Sequence, residues 1–394
     1  MTTDFGTKTL PYGVFAPPGE APRVGVAVGD LVLDLSVVLG SPGEFARPSL
    51  NAFLARGSAR WQEVRGRLGD LVARGVGTGQ PGVHRVADVT VLLPVEVADF
   101  VDFFSGIEHA TNMGAILRPG DENPLKPNYR WLPVGYHGRA GTVIPSGMDV
   151  TRPSGQLSTP GGVLDAPTAR LDIEAELGYV VGVPSRLGEP VPASAFREHV
   201  FGLVVLIDWS ARDMQAWEYQ PLGPFLAKSF ATTISSWVVP LDALAGAWAD
   251  GPVQEPAVLP YLRVPEPRNP SVELEFSLNG RVLSRPDAGH LYWSPAQQLA
   301  HLTRNGASLR TGDLYGTGTI SAFDPSAMGS LMELSWGGTR SIDLGPAGTR
   351  TFLQDGDEVA LRAYIGGDRS RPLGEARGRI VPAPKGGLNS DHRS

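Results

Sequence analysis

The chain has 394 residues, of which 42% are hydrophobic and 19% charged, and its formal net charge is −7. This length exceeds what a single hydrophobic core usually serves, so two domains are expected. The acidic balance, with no long basic run, argues against nucleic-acid binding, and no apolar run is long enough to span a membrane. The sequence contains no cysteine, which excludes disulfides, cysteine-ligated zinc and a thiol nucleophile and fits a cytoplasmic protein.

Residues 1–95 are predicted to form a small, β-rich N-terminal domain. Two apolar runs within residues 23–35 flank a Gly-Asp pair at 29–30, the pattern of a β-hairpin. Apolar residues at helical spacing predict a helix over residues 49–68. The glycine-rich segment 74–82 is expected to be a loop.

Residues 96–383 are predicted to form a second, larger domain, followed by a disordered polar tail over 384–394. The 49 glycines and 35 prolines follow no repeating period, so they indicate a turn-rich, mainly β fold with some α. Strands joined by long irregular loops are therefore expected over most of this region.

Three local patterns in the larger domain predict particular elements. Residues 272–278 alternate with period two and run into an Asn-Gly pair, which is a strong hairpin signal. Ser294 and Pro295 have the pattern of a helix start, and the helix should end near Gly306. Residues 351–365 are expected to form two strands around an Asp-Gly-Asp turn.

Three acidic residues alternate along one predicted strand: Asp172, Glu174 and Glu176. Alternate residues of a strand share a face, so these carboxylates should point the same way. One interpretation is a solvated edge of the sheet. The acids lead directly into an apolar stretch, however, so the other interpretation is a carboxylate cluster at the edge of the core. Such a cluster needs a cation to offset its repulsion.

A fourth acid, Asp208, ends a continuously apolar run over residues 200–207. Such a run is typical of a strand that is covered on both faces. The carboxylate either caps the following turn or is placed there to bind a ligand.

A candidate base lies near the start of a predicted helix. Ser105 and Glu108 have the spacing of a capping box, which places His109 in the first turns of a helix beginning at Ser105. There the helix dipole would disfavour the imidazolium and keep the ring neutral near pH 7. The alternative is a histidine with a purely structural role. Asp102 lies just before the predicted cap.

Asp102, Glu174, Glu176 and Asp208 together form a set of oxygen ligands. Such a set favours hard cations, namely Mg²⁺, Ca²⁺ or Mn²⁺, over zinc or copper. The spacing of these residues does not by itself show that their three segments converge.

The chain resembles the fumarylacetoacetate hydrolase family over nearly its whole length. The shared motifs are residues 102–112 (DFFSGIEHATN), 132–140 (LPVGYHGRA), 208–213 (DWSARD), 217–230 (WEYQPLGPFLAKSF), 318–321 (GTIS) and 329–336 (GSLMELSW), with 10–15 and 25–30 near the N-terminus. Because these long motifs occur in order, the signal is specific. The resemblance implies a small SH3-like N-terminal β domain, a larger C-terminal β-roll domain, a cytoplasmic homodimer and a place in tyrosine and phenylalanine catabolism.

Carried over by position, the resemblance implies a role for each residue of the site. The metal ligands would be Asp102, Glu174, Glu176 and Asp208, with Lys228 and Thr232 at a second, smaller cation site. His109 would be the general base, oriented by Glu333. The substrate contacts would be Arg118, Gln215, Tyr219, Thr319 and the position of Phe104, with Arg212 beside them. Arg212, Gln215 and Lys228 are also suitable catalytic donors for the negative charge that the reaction develops.

The reaction that the resemblance implies is metal-dependent hydrolysis of the carbon–carbon bond of fumarylacetoacetate, a small diketo acid, to fumarate and acetoacetate. The alternative is the same site acting on another oxo acid, as an acylpyruvate hydrolase, a decarboxylase or a hydratase. A catalytically dead binding protein would be expected to lack His109, Glu333 or a metal ligand, and all are present.

One residue departs from the family pattern. Phe104 stands where the family has tyrosine, so the position that resembles a substrate contact lacks a hydroxyl. This difference affects the prediction of which acyl group the substrate carries more than the prediction of the reaction type. His137, a rival base within residues 132–140, is interpreted as bracing a loop.

Overall fold

The computed structural model describes residues 5–384, in which strands far outnumber α-helices. One large mixed sheet is formed by β1 (Tyr12–Ala16), β2 (Arg23–Val28), β3 (Leu31–Asp34), β4 (Val83–Arg85), β5 (Thr90–Val91), β6 (Phe100–Phe103), β7 (Gly135–His137), β8 (Val143–Pro145), β12 (Leu171–Val181), β13 (Val200–Ala211), β14 (Thr232–Ile234), β15 (Trp237–Pro240) and β20 (Leu314–Gly316). A five-stranded sheet is formed by β9 (Asp149–Thr151), β18 (Val272–Leu278), β19 (Arg281–Ser284), β23 (Glu358–Ile365) and β24 (Pro372–Val381).

The remaining strands form two-stranded ribbons, and the helices are mostly short. The ribbons pair β10 (Ser154–Thr159) with β11 (Gly162–Pro167), β16 (Trp248–Ala249) with β17 (Asn269–Pro270), and β21 (Ile342–Asp343) with β22 (Thr349–Arg350). The helices are α1 (Leu35–Val38), α2 (Pro42–Phe45), α3 (Asn51–Leu54), α4 (Ser58–Ala73), α5 (Ile107–Leu117), α6 (Phe196–His199), α7 (Arg212–Glu218), α8 (Leu226–Ser229), α9 (Pro295–Leu302) and α10 (Leu331–Leu334).

The large sheet runs through both the N-terminal and the C-terminal parts of the chain. Its central order is β4-β3-β2-β1-β15-β13-β12-β20-β6-β7, so β1 lies between β2 and β15. Tyr12 of β1 pairs with Val238 of β15, and its ring lies 5.3 Å from that of Phe201 on β13. One apolar core therefore includes residues from both parts.

The five-stranded sheet packs against the large sheet and completes the main core. Buried residues of β13, such as Val205 and Ile207, belong to the same apolar cluster as Leu361 of β23 and Ala376 of β24. Strands β12 and β13 are buried along their whole length. These two strands also carry three of the predicted ligands, so the site is built on the best-packed part of the fold.

Several predicted elements are confirmed. The hairpin of β2 and β3 turns at Gly29, whose φ is +56°, and β18 turns into β19 at Asn279 and Gly280. Helix α9 begins after Ser294 with a complete capping box and a proline in its first turn. The mainly β fold class is confirmed as well.

Three predicted elements are wrong in detail. The helix expected over residues 49–68 is divided into α3 and α4, because Gly57 has a φ of +83° and interrupts it. Helix α5 begins at Ile107 after Gly106 with no side-chain cap, so Ser105 does not form the predicted capping box. Residues 351–365 do not form a strand pair, because β23 begins at Glu358 and pairs with β18 and β24.

Two further expectations concern the C-terminal tail and the boundary between the domains. Apart from Pro384, the tail predicted to be disordered lies outside the described residues, and the domain boundary near residue 95 stays a prediction. Within residues 5–384, no helix has the length and hydropathy that crossing a bilayer requires.

Candidate metal centre and catalytic base

Four neighbouring strands, in the order β13-β12-β20-β6, bring the predicted ligands together. Glu174 on β12 lies directly opposite Asp208 on β13. On the other side of β12, β20 separates it from β6, and Gly316 of β20 pairs with Asp102 of β6. Because Gly316 has no side chain, the carboxylates of Asp102 and Glu176 reach across it. A Cβ atom there would lie 2.7 Å from Asp102 Oδ1 and 2.8 Å from Glu176 Oε2.

The four carboxylates form one buried cluster. Asp102, Glu174, Glu176 and Asp208 each offer an oxygen, and these oxygens all lie within 4.8 Å of one another. Burial and then the charges of neighbouring acids raise the pKa of Asp102 and of Glu176 well above their ordinary values, and burial also raises the pKa of Asp208. The cluster therefore resists carrying its full negative charge without a cation.

Two unsatisfied oxygens show that this cluster suits a metal ion. Asp102 Oδ1 and Glu176 Oε1 are buried and have no hydrogen-bond partner among the described residues. Buried polar atoms are nearly always paired, so a missing partner here points to a ligand. The donors are all oxygens, as hard divalent cations prefer. The residues present thus fit a divalent metal site.

Lys228 supplies a positive charge inside the cluster. Its Nζ donates to Glu174 Oε2 at 2.7 Å and also to Asp208. Burial alone would lower the pKa of Lys228, but the charges of Asp208 and Glu174 raise it above the ordinary value. A charged ammonium has no lone pair, so a ligand role for Lys228 would use its backbone carbonyl. Thr232, the other residue predicted at a second cation site, is buried and pairs with Asp208 across β14 and β13.

His109 and Glu333 form a buried pair beside the cluster. His109 Nδ1 lies 2.8 Å from Glu333 Oε2, while His109 Nε2 lies 3.0 Å from Thr319 Oγ1 and 3.6 Å from Glu174 Oε1. Glu333 is held in place by Asn112, which donates to its Oε1 at 2.9 Å. The structure therefore joins the base, its predicted orienting carboxylate and one predicted ligand in a single network.

The charge state expected for His109 is not the one that this environment favours. Burial would lower the pKa of His109, but the charge of Glu333 and the proximity of Glu174 raise it to about 9. The carboxylates of Glu333 and Glu174 thus favour the imidazolium and act against the helix dipole, which favours a neutral ring. Two carboxylates close to the ring outweigh the end of a helix, whose effect is usually a fraction of that of a full charge.

Arg212 lies on the other side of Glu174, at the start of α7. Its Nε donates to Asp172 Oδ2 at 2.8 Å, and its Nη1 donates to Glu174 Oε1 at 2.7 Å and to Gln215 Oε1 at 3.0 Å. Nη2 is buried without a partner among the described residues. One donor of the guanidinium therefore remains available to a ligand.

The predicted substrate contacts are only partly gathered at the site. Thr319 contacts His109, and the ring of Phe104 packs edge-on against that of His109 at 5.4 Å. Arg118 instead donates to Asp121 and to the carbonyl of Pro124. The Tyr219 hydroxyl accepts from the neighbouring Gln220. Within the described residues, neither Arg118 nor Tyr219 forms a hydrogen bond with the four-acid cluster.

Tyr136 was missed as a member of the site. Its hydroxyl lies 2.9 Å from Asp102 Oδ2 and 3.3 Å from Asp208 Oδ2. It stands inside the motif over residues 132–140, beside His137, which is exposed and lies on β7. The motif was the available signal, but no spacing rule separates the tyrosine from its neighbours.

Known families match both parts of the chain. The fumarylacetoacetase N-terminal family matches residues 8–94, and the fumarylacetoacetate (FAA) hydrolase C-terminal family matches residues 100–381. Among solved structures, the chain is similar to a fumarylacetoacetate hydrolase from Exiguobacterium antarcticum, with a TM-score of 0.57 and 17% identity over 95% of this chain and 100% of that one. It is also similar to a Sphingobium maleylpyruvate hydrolase in complex with manganese and pyruvate, with a TM-score of 0.53 and 16% identity over 95% and 100%. At these identities the structures show the shared fold.

Sequence relatives are much closer. The chain is 44% identical to the fumarylacetoacetase of Rattus norvegicus over 407 residues, covering 97% of each chain. It is 42% identical to the fumarylacetoacetase of Arabidopsis thaliana over 411 residues, covering 96% of each. With both family matches and these relatives, the chain belongs to the fumarylacetoacetase family.

Proposed function

We propose that this chain is a hydrolase that splits the carbon–carbon bond of fumarylacetoacetate, giving fumarate and acetoacetate. The observation that carries the proposal is the position of the His109 ring. One nitrogen is held by Glu333, and the other lies 3.6 Å from a carboxylate of the four-acid cluster. The named relatives, at more than 40% identity over nearly the whole chain, support this substrate.

The cluster of Asp102, Glu174, Glu176 and Asp208 would hold the divalent cation. When bound, such an ion polarises a carbonyl of the β-diketone and favours attack by water. Because their only donor atoms are oxygens, we propose Mg²⁺ or Ca²⁺, with Mn²⁺ also suited. Metal analysis of the purified protein by mass spectrometry identifies the ion.

His109 would accept the proton of the attacking water at Nε2. Glu333 accepts from Nδ1–H, which fixes the tautomer and turns the Nε2 lone pair toward the site. His109 does this only in its neutral form, which is favoured once the negative charge of Glu174 is offset by a ligand. The proton is then available to the acetoacetate carbon released when the carbon–carbon bond breaks.

Arg212, Gln215 and Lys228 would stabilise the negative charge that develops on the attacked carbonyl oxygen and on the departing enolate. The Nη2 of Arg212 is buried and unpaired among the described residues, so it has hydrogen-bond donors left for such an oxygen. A preorganised hydrogen-bond donor stabilises the charge of the transition state much more in a site that excludes water than it does in water. Phe104, Arg118, Tyr219 and Thr319 are proposed to contact the substrate, and Lys228 and Thr232 to form the second, smaller cation site.

The proposed reaction is tested by following the absorbance of fumarylacetoacetate as it is consumed. Acylpyruvates serve as comparison substrates at equal concentration. Preferred turnover of fumarylacetoacetate supports the proposal, whereas faster turnover of an acylpyruvate assigns the same site to a different oxo acid. Identification of fumarate and acetoacetate as products separates hydrolysis from decarboxylation or hydration.

We further propose that the chain forms a homodimer, as the family resemblance implies, and that it acts in the cytoplasm. Exposed apolar side chains lie on the β10–β11 ribbon and on the segment after α7, where Leu164 is 54% and Leu222 95% exposed. Trp217 Nε1 donates to Gln156 Oε1, so the ribbon lies beside the last turn of α7. An exposed apolar patch is a typical contact surface.

Sedimentation measurements test the dimer. Leu222→Asp should shift the protein toward monomer if this patch is the contact surface. Leu187→Asp, at a residue that is 82% exposed elsewhere, is the matched control and should leave the assembly unchanged.

A further inference from the structure

One buried carboxylate outside the four-acid cluster connects two parts of the proposed catalytic machinery. Asp172 is fully buried on β12, two residues before Glu174. Its Oδ2 accepts from Arg212 Nε at 2.8 Å and from the backbone N–H of Met332 at 3.1 Å. Its Oδ1 accepts from the backbone N–H of Leu331 at 2.8 Å and from its own neighbour Ile173 at 2.7 Å.

These contacts orient the Arg212 side chain. Asp172 accepts from Nε, the guanidinium nitrogen attached to the side-chain stem, while Glu174 and Gln215 accept from Nη1. The three acceptors leave Nη2 without a partner among the described residues. Because the guanidinium is planar, fixing Nε and Nη1 also fixes the direction in which Nη2 points.

The same carboxylate holds the helix that carries Glu333. Leu331 and Met332 are the first two residues of α10, and both of their backbone N–H groups donate to Asp172. The next N–H, that of Glu333 itself, donates to Ser330 Oγ at 3.2 Å. The start of this short helix is therefore fixed to β12, which also carries Glu174.

We propose that Asp172 is a positioning residue that sets Arg212 and Glu333 in register with each other across the site. The proposal rests on the proposed function, because it assigns Arg212 and Glu333 to the same reaction. The competing explanation is that Asp172 only neutralises a buried arginine. Neutralisation requires a nearby charge, whereas positioning requires this carboxylate at this place.

Asp172→Asn tests the proposal. Asparagine replaces one carboxylate oxygen with an amide NH₂, which cannot accept a hydrogen bond. The variant therefore loses the acceptor either of Arg212 Nε and Met332 N–H or of Leu331 N–H and Ile173 N–H. Loss of a residue that orients another typically costs about 10- to 100-fold in activity. We therefore expect kcat to fall by about that factor with KM nearly unchanged. In an Arg212→Ala background the same change should cost far less, because residues acting as one unit are not additive.

Asp357→Asn is the matched control. Asp357 is another buried aspartate that accepts from an arginine, Arg350 at 2.8 Å, and from a backbone N–H, that of Gln354 at 2.7 Å. It lies outside the described site, so its variant should lose thermal stability while keeping kcat. An equal fall of kcat in both asparagine variants would overturn the positioning role, as would the same factor with and without Arg212.

Thermal unfolding separates this proposal from the proposed function. The shifts in Tm for Asp172→Asn and Arg212→Ala should be less than additive in the double variant, whatever substrate the protein turns over. Additive shifts overturn the proposal even if fumarylacetoacetate is hydrolysed. Asp172→Glu separates positioning from neutralisation, since it keeps the charge and moves the carboxylate by one methylene, and it also serves if Asp172→Asn fails to fold. Wild-type kcat in that variant also overturns the proposal.

Discussion

Glu333 Oε2 lies 2.8 Å from His109 Nδ1, although 224 positions separate the two residues along the chain. Both side chains are buried, and Ser321 and Ser330 also donate to the same oxygen of Glu333 at 2.8 Å. The carboxylate is therefore held rigidly, and the ring can turn little without breaking its bond to Glu333.

The first prediction follows from this pair. His109→Ala should lower kcat by about 10²- to 10⁴-fold, the usual cost of losing a general base. Adding Glu333→Gln to that variant should cost little more, because the carboxylate acts through the ring. Steady-state kinetics of the two single variants and the double variant provide the measurement. Losses that multiply fully would give Glu333 a role separate from His109.

The second prediction concerns removal of the metal. The four carboxylates face one another with Lys228 as the ammonium among them, so repulsion should rise when no divalent ion is bound. A ligand present at a hundredfold excess over its Kd stabilises a protein by about 2.7 kcal/mol. Chelation should therefore abolish activity and lower Tm, with both restored by Mg²⁺, Ca²⁺ or Mn²⁺. Full activity at a verified metal content near zero would exclude the site.

The third prediction uses the close approach at Gly316. Its φ lies outside the left-handed region, so alanine is compatible with the backbone, but the new methyl group would lie 2.7 Å from Asp102 Oδ1. Gly316→Ala should weaken divalent-ion binding by at least tenfold in calorimetric titration, because the carboxylates must move apart. Gly178→Ala is the control, since Gly178 pairs with Gly316 across β12 and β20 and its methyl group would meet apolar side chains. Equal affinities in the two variants would contradict the assignment.

The fourth prediction concerns the departure at Phe104. The centroid of the Phe104 ring lies 5.4 Å from that of His109 and 6.1 Å from that of Tyr129. A tyrosine at this position would therefore lie beside the proposed base. A hydrogen bond to a charged partner is worth about 1.5–3 kcal/mol, or roughly 10- to 150-fold in binding. Phe104→Tyr should lower KM for fumarylacetoacetate by up to that factor, with kcat nearly unchanged. A lower kcat/KM would instead indicate a pocket shaped for a less polar acyl arm.

The fifth prediction is a pH dependence at a carboxylate remote from the metal centre. Burial raises the pKa of Asp313 from 3.8 to about 6. The folded state therefore binds a proton more tightly than the unfolded chain, and this stabilisation is full below pH 3.8 and lost as the pH rises through about 6. Asp313→Asn lacks this loss, so its Tm relative to wild type should rise between pH 4 and 6 and then stay level. A Tm difference between Asp313→Asn and wild type that stays constant across that range would contradict the raised pKa of Asp313.

Local sequence pattern predicted two of the strands that carry the metal centre. The alternation of Asp172, Glu174 and Glu176 predicted a strand with its acids on one face, and the apolar run before Asp208 predicted a buried strand, but their pairing was not predicted. In the structure, Glu174 and Asp208 are direct partners in that pairing. The family motifs supplied Asp102, His109 and Glu333, which no spacing rule connects.

Contacts between distant segments could not be predicted in this way. Gly316 matters only because β20 lies between β12 and β6, a pairing set by tertiary packing. Ser105 has capping-box spacing, but its backbone N–H donates to Thr317 and its carbonyl accepts from Tyr292. These tertiary bonds override the local preference, and α5 begins two residues later. Asp172 was recognised as an acid on the right strand, but its bond to Arg212 depends on where α7 starts.

The pairing of β1 with β15 has a consequence for how the molecule can move and be divided. A chain cut at residue 95 would leave the β15 side of that pairing open, and an unpaired strand edge readily recruits other chains. The N-terminal part and the rest of the chain cannot swing apart as rigid bodies without breaking the ladder that joins Tyr12 to Val238. Any exchange of the N-terminal part between relatives must therefore preserve this strand pairing.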